Sequence, residues 1–222
     1  MTCVVVDCEQ RSPEWFEARR GLLTATGAAA MLSKPKKNGE ETVGRYKLRV
    51  RLALETERGR ALSDEDRFVS AEMRRGIERE PEAIRLYEAV TGDLVQTVGF
   101  IRHGELPAGC SPDGIVGDFT GGLEVKCPEY HTHFEYLEKG TVPSEYLPQV
   151  LHSLFVTGLP WWDFCSYCPE FDGAARLFTV RVYRDEKAMS AYALAFALFW
   201  REVEEAIEKV RGLSASELAH DE

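Results

Sequence analysis

The sequence predicts an α/β protein of the α+β type, with a mixed central β-sheet flanked by helices. Three observations carry that expectation. Apolar residues recur at three- and four-residue steps over 43–57, about 66–91 and 185–211, which is helical spacing. From 94 to 127, short runs rich in Val, Ile and Leu are broken by Gly, Pro and Asp, the pattern of strands and turns. Two further strand-like runs, 161–167 and 176–183, come after a second pair of helical stretches.

Taken in order, Ser12 followed by Pro13 reads as a cap with proline at the first helical position, and Gly21 as the stop, giving a short helix over 13–20. TATGAAAML offers a Thr cap and an alanine-rich body, so a second helix starts shortly after Arg19 and Arg20. Pro81 is expected to interrupt or open the helix of 66–91. LVQTVGFIR, AGCSPDGIVGD and GGLEVKC are expected to form an antiparallel meander, with DFTGG turning between the last two. Residues 131–139 and 143–157 return to helix. The last helix carries Met189, Tyr192, Phe196, Phe199, Val203, Ile207 and Val210 on one stripe, read as packing against the sheet. No repeat, low-complexity tract or long linker divides the sequence, so 1–222 is expected to be a single domain.

With 222 residues and 44% hydrophobic content, the chain can bury a substantial core. It has no apolar run near the roughly 18 residues of a membrane helix. MTCVVVDCEQ is charged too early for a signal peptide, so a cytoplasmic protein is expected. The six cysteines read as reduced thiols in a chain that does not need staples. A net charge of −10 argues against nucleic acid for the molecule as a whole, but the charge is uneven. Residues 1–75 hold 15 Lys+Arg against 12 Asp+Glu, and the remainder 12 against 25. Positive charge is densest in KPKKNGEETVGRYKLRVR, either a local phosphate-binding surface or a solvated helix face.

The segment CSPDGIVGDFTGGLEVKC places Asp113, Glu124 and Lys126 among residues that otherwise read as buried strand and tight turn. Strand alternation puts Glu124 and Lys126 on one face and Leu123, Val125 and Cys127 on the other. The hairpin brings Asp113 alongside, so two carboxylates and an ammonium converge on one side of the sheet. Carboxylates that close repel unless a proton or cation sits between them. Oxygen ligands with no nearby His suit a hard divalent ion, Mg²⁺ above others. A structural ion pair of Lys126 is the plainer alternative. Cys127 with His131 and His133, and Cys165-x-x-Cys168, do not close at structural zinc spacing, and the cysteine pair is expected to alternate in burial along its strand.

SPDG followed by LEVKCP, with WFEARRGLLTAT upstream, the helix GIEREPEAIRLYE and the later YLPQVLHSLFVTG, resembles the phage-type exonucleases of the lambda exonuclease and YqaJ-like recombinase family. That family is a PD-(D/E)xK branch of the restriction-endonuclease-like nucleases, and the resemblance extends over most of the chain. It implies a restriction-endonuclease-like core in which Glu80, Asp113 and Glu124 bind metal, with the backbone carbonyl of Val125 as a further ligand. Lys126 would touch the attacking water or the scissile phosphate, and Gln149 would place that water or the lysine. Arg19 and Thr26 match positions that hold a terminal 5′-phosphate. Glu78 is the neighbouring alternative to Glu80, and Arg20 to Arg19.

The resemblance further implies two Mg²⁺ ions, for which Mn²⁺ can substitute, and 5′→3′ digestion of linear double-stranded DNA to 5′-mononucleotides. The 3′ single strand left behind would serve recombination, with a single-strand annealing protein as partner and a homotrimer ring around the DNA. An endonuclease with the same core is one alternative. A DNA-binding recombination module with a vestigial nuclease centre is the other.

Overall fold

The computed structural model describes residues 3–35, 37, 39–62 and 71–218. Among them the strands form two sheets rather than one. The four-stranded sheet is ordered β1 (Cys3–Val6), β4 (Phe100–His103), β5 (Ala108–Cys110), β2 (Leu23–Thr24). The five-stranded sheet is ordered β3 (Val95–Gln96), β6 (Gly114–Val116), β7 (Gly121–Lys126), β8 (Trp161–Tyr167), β9 (Leu177–Tyr183). Both are mixed: β2 runs parallel to β5 and β7 parallel to β8, and the other neighbours are antiparallel.

The expected meander is therefore redistributed. LVQTVGFIR breaks at 97–99 into β3 and β4, which lie in different sheets, and AGCSPDGIVGD breaks at 111–113 into β5 and β6. Pro112 has no N–H for a ladder, which fits the break at that point. What survives of the meander is β3–β6–β7. The pair Gly121 and Gly122 belongs to β7, not to the turn, which occupies 117–120. A Cβ on Gly122 would lie 2.3 Å from ring atoms of the fully buried Trp162, which stands opposite it on β8. Side-chain clearance, not backbone flexibility, calls for glycine there.

Helix α1 (Pro13–Arg19) starts as expected, with the Ser12 hydroxyl accepting from the Trp15 amide at 3.2 Å. The alanine-rich segment yields only a 3-10 turn over 25–27 and a four-residue α2 (Ala28–Met31). Thr24 caps neither by its side chain, and its hydroxyl faces that of Thr26 at 3.2 Å. Helix α3 (Val43–Arg58) matches expectation. Within the basic stretch, Arg45 pairs with Glu202 and Glu41, and Arg49 with Glu41, so these two charges are committed to intramolecular pairs.

Helix α4 (Ala71–Thr91) passes straight through Pro81, and its expected start at 66 lies outside the described residues. Proline removes the N–H that would bond the Ile77 carbonyl. Docking offsets that loss: Ala83 and Tyr87 are fully buried against Leu123, Val125 and Cys127, and the Tyr87 hydroxyl donates to Asp163 at 2.7 Å. Asp163 in turn receives two bonds of 2.8 Å from Arg181 on β9.

Helix α5 (Tyr130–Lys139) follows β7, and α6 (Leu147–Thr157) begins later than expected because Tyr146 N closes a turn onto the Pro143 carbonyl at 3.0 Å. Helix α7 (Glu186–Leu218) buries its apolar stripe mainly on α3 and α6 rather than on the sheet. α6 is consequently covered on nearly all sides. Strand β8 is buried on both faces, so Cys165 and Cys168 are both enclosed instead of alternating. No helix among the described residues is long and apolar enough to cross a membrane.

Gly122→Ala should lower stability by about 1–3 kcal/mol, because the methyl must displace a close-packed ring. Urea unfolding of the two proteins measures this, and an unchanged midpoint would show that Trp162 has room to move.

Candidate active site

The site is built where β6 and β7 part. Their ladder ends at Gly114 opposite Leu123. One step further, Asp113 faces Glu124, and there the strands no longer pair. Asp113 instead turns its carboxylate into the gap and accepts the Val125 N–H at Oδ2, 2.6 Å away. Glu124, only 2% exposed, accepts at Oε1 from both Lys126 and Gln149. Leu123, Val125 and Cys127 point into the opposite apolar layer, as alternation requires.

Glu80 arrives from α4, on that opposite layer, whereas Gln149 stands on α6, on the Glu124 side. Glu80 thus comes from the layer opposite Glu124 and Lys126, which share one face of the sheet, while Asp113 stands across from Glu124 where the strands part. Glu78 is exposed, and Glu82 pairs with Arg176 at 3.0 Å. Glu80 is the acid of α4 whose charge acts on Glu124 and whose own state responds to Asp113.

Burial pushes Glu80 up to about 7, and the Asp113 charge adds to it against the pull of Arg11 and Lys126. Glu124 is likewise pushed up to about 7 by burial, relieved by Lys126 but aggravated by Asp113 and Glu80. Asp113 is raised by burial, with Lys126, the Val125 amide and Arg11 opposing. Burial would pull the Lys126 ammonium down, yet Glu124 and Asp113 outweigh it and hold it above its usual value. Three carboxyls facing one ammonium leave an excess of negative charge that a hard cation with oxygen preference would relieve, so this donor set fits a divalent metal. Among the described residues no three His, Cys, Asp or Glu side chains already close around one point. The Lys126 and Gln149 bonds both fall on Oε1 of Glu124 and hold that carboxylate in place.

The SPD loop is fastened from the N-terminal segment. Trp15 Nε1 donates to Ser111 Oγ at 2.8 Å and to the Gly99 carbonyl at 3.2 Å. Gln10 donates to the carbonyls of Pro112 (2.9 Å) and Val98 (3.1 Å). Arg19 stacks 3.7 Å over Trp15 and reaches Ser111 Oγ at 3.5 Å, which ties it to this loop. Arg20 instead pairs with Glu17 and donates to the Gly59 carbonyl. Thr26 is exposed just after β2, whose Thr24 pairs with Gly109 at the approach to Ser111. With α2 only four residues long, a helix dipole adds little at Thr26, and its hydroxyl is what it brings.

Three neighbours were not read from the sequence. Tyr146 presents its ring 5.3 Å from the Lys126 ammonium, Arg11 acts electrostatically on Glu80 and Asp113, and Gln10 anchors Pro112. EQRS carried no periodic or motif signal for Gln10 and Arg11, and YLPQVLHSLFVTG pointed to Gln149 rather than to Tyr146. His133 is engaged by Ser166 and the Ala175 carbonyl, and His131 lies exposed beside Glu129, so the two do not converge. A cavity of about 890 Å³ between α3 and α7 contains none of the site residues.

The family model for the YqaJ-like viral recombinase domain matches residues 14–160, a span that includes Arg19, Glu80, Asp113, Glu124, Lys126 and Gln149. The chain belongs to that family. An alkaline exonuclease from Laribacter hongkongensis, LHK-Exo, is 32% identical, with a TM-score of 0.80 over 92% of this chain and 99% of its own. The same enzyme in complex with dAMP matches equally, with a TM-score of 0.80. A phage-related exonuclease from Haemophilus somnus 129PT, 14% identical with a TM-score of 0.64 over 88% of this chain and 99% of its own, shares the fold. No curated protein sequence matches significantly. This YqaJ-family chain thus has the mixed-sheet fold of these exonucleases.

Glu80 and Glu124 bind protons more tightly folded than unfolded, so the metal-free protein loses stability as pH climbs from 4.5 towards about 7. The loss should be on the order of 3 kcal/mol. Thermal unfolding at pH 5 and pH 8 in chelator should show it, and Glu124→Gln should shrink it. A flat profile would show that burial and the neighbouring carboxyls do not raise these two groups.

Proposed function

We propose that the chain is a divalent-metal-dependent exonuclease that digests linear double-stranded DNA from its ends, 5′→3′, releasing 5′-mononucleotides. The observation that carries this reading is the parted-strand centre of Glu80, Asp113, Glu124 and Lys126, in a chain that belongs to a nuclease family and matches an alkaline exonuclease over nearly all of its length. Residues 1–222 are read as one nuclease domain.

Glu80, Asp113 and Glu124, with the Val125 carbonyl, would hold Mg²⁺, as two ions in the full reading, with Mn²⁺ as a substitute. A metal bound there supplies Lewis-acid polarisation of the phosphoryl oxygen and charge for the departing 3′-oxygen. Lys126 places its ammonium where negative charge gathers in the transition state. Gln149 orients the Glu124 carboxylate through its amide. Tyr146 confines the lysine from the side. Arg19 and the Thr26 hydroxyl would grip a terminal 5′-phosphate, since a guanidinium matches phosphate geometry in two bonds. A homotrimer ring would reconcile the net charge of −10 with DNA, because only the inner wall need be basic. The remaining 3′ strand would pass to a single-strand annealing protein.

Lys126→Ala should leave DNA binding largely intact and lower turnover by about a hundredfold or more. Near-normal turnover would remove the lysine from the reaction.

Linear duplex should be degraded with Mg²⁺ while covalently closed circles stay intact; nicked or linearised circles would favour the endonuclease reading. A 5′-phosphate should accelerate digestion roughly tenfold to a hundredfold over a 5′-hydroxyl, and Arg19→Ala should erase most of that preference. An equal loss on both ends would make Arg19 a general backbone contact.

A further inference from the structure

Glu55 is a buried carboxylate that the centre does not use. It stands on α3, 4% exposed, and both of its oxygens accept from backbone amides: Oε2 from Gly21 at 3.0 Å and Oε1 from Leu62 at 3.4 Å. The Gly21 amide lies in the connection between α1 and β2. There the Leu22 N–H donates to the Arg19 carbonyl at 3.1 Å, Arg20 has φ −54° and ψ 128°, and Gly21 has φ 64°, which together make a type II turn starting at Arg19. Types I and II differ by a half-rotation of the central peptide, here the one joining Arg20 to Gly21. As a type I turn, the segment would present the Arg20 carbonyl to the Glu55 carboxylate in place of the Gly21 N–H. A buried carboxylate requires the donor, so Glu55 selects between the two turns. The turn is also pressed against the end of α3: a Cβ on Gly21 would lie 2.8 Å from Thr56 Oγ1, and the Arg20 guanidinium donates to the Gly59 carbonyl.

The two groups read above as a grip on a terminal 5′-phosphate lie on either side of this turn. Arg19 is its first residue, and its last, Leu22, hands the chain to β2 and so to Thr26. We infer that Glu55 is a positioning residue for that grip, touching no substrate itself but fixing where Arg19 stands relative to Thr26. The inference rests on the chain-end reading of Arg19 and Thr26 and adds to it the residue that sets their spacing. Strand β2 is held independently, by the Leu23 N–H on the Pro107 carbonyl at 3.0 Å and by its pairing with β5. Turning the Arg20–Gly21 peptide over would therefore displace the α1 side of the turn, which carries Arg19.

Glu55→Met keeps an unbranched side chain of similar length and removes both acceptors. With wild type and variant assayed well below their melting temperatures, the preference for 5′-phosphorylated over 5′-hydroxyl linear duplex should fall roughly tenfold, because small misplacements of a positioned group carry costs of that order or more. The loss should appear as a higher KM on phosphorylated ends with little change in kcat, and Glu55→Gln, which keeps one acceptor, should recover part of it. Should Glu55→Met not fold, Glu55→Asp carries the test, since it keeps the charge but holds its oxygens one methylene short of the turn, and the preference should fall in the same direction. An equal loss on both kinds of end would overturn the inference and leave Glu55 a structural group. So would a phosphate preference that survives intact in the folded variant, with the chain-end reading itself left standing. A wild type that digests linear duplex without regard to the 5′-phosphate would sink the chain-end reading of Arg19 and Thr26, and the inference with it.

Discussion

The bond from the Val125 amide to the Asp113 carboxylate determines the rest of the centre. Two strands that had continued to pair would have buried their edges and left no space for a substrate. Ending the ladder at Gly114 and Leu123 exposes a buried donor, and an unsatisfied donor of that kind costs about 1–3 kcal/mol. Asp113 satisfies it with a side chain, so the same carboxylate that stabilises the gap also faces Glu124 across it. Pro112, which offers no N–H of its own, makes the departure of β6 inexpensive at that point.

Around that gap the fold brings in each further group on an element with its own anchor. Helix α4 carries Glu80 and is locked by Tyr87 onto the Asp163–Arg181 pair, two turns away on the same face. Helix α6 carries Gln149 and is enclosed between the sheets and α7. The N-terminal segment holds the SPD loop through Gln10 and Trp15 and delivers Arg19 with it. The scaffold is thus well satisfied, while the centre keeps three carboxyls raised by burial, with repulsion from neighbouring carboxyls adding to it at Glu80 and Glu124. Such local frustration inside a consistent fold is where binding free energy has most to act on.

The chemistry was more legible in the sequence than the topology. Asp113, Glu124 and Lys126 stood out because strand alternation leaves no apolar reason for charges in GGLEVKC. The long helices were legible from sustained periodicity, as α3 and α7 show. The division into two sheets was not, since β2 and β3 are two residues long and sheet membership is set by partners distant in sequence. Gly121 and Gly122 read both as the end of the DFTGG turn and as the start of the GGLEVKC strand, because what demands glycine there, the Trp161 and Trp162 rings, lies some forty residues away. Pro81 read as a break because propensity is local, whereas Tyr87 docking is tertiary. Arg19 was separated from Arg20 only by contacts, and nothing in the composition of EQRS announces a left-handed arginine.

The claim that these carboxyls are held partly protonated until a cation replaces the proton can be measured directly. Titration of Mg²⁺ into the protein at about pH 6.5, in two buffers of different ionisation enthalpy, reports proton release on binding. With Glu80 and Glu124 both raised to about 7, the apparent enthalpies should differ between buffers by an amount corresponding to release of about one proton. Mg²⁺ binding with the same enthalpy in both buffers would mean that the carboxyls were already ionised, and would contradict the account of how the parted strands prepare this site.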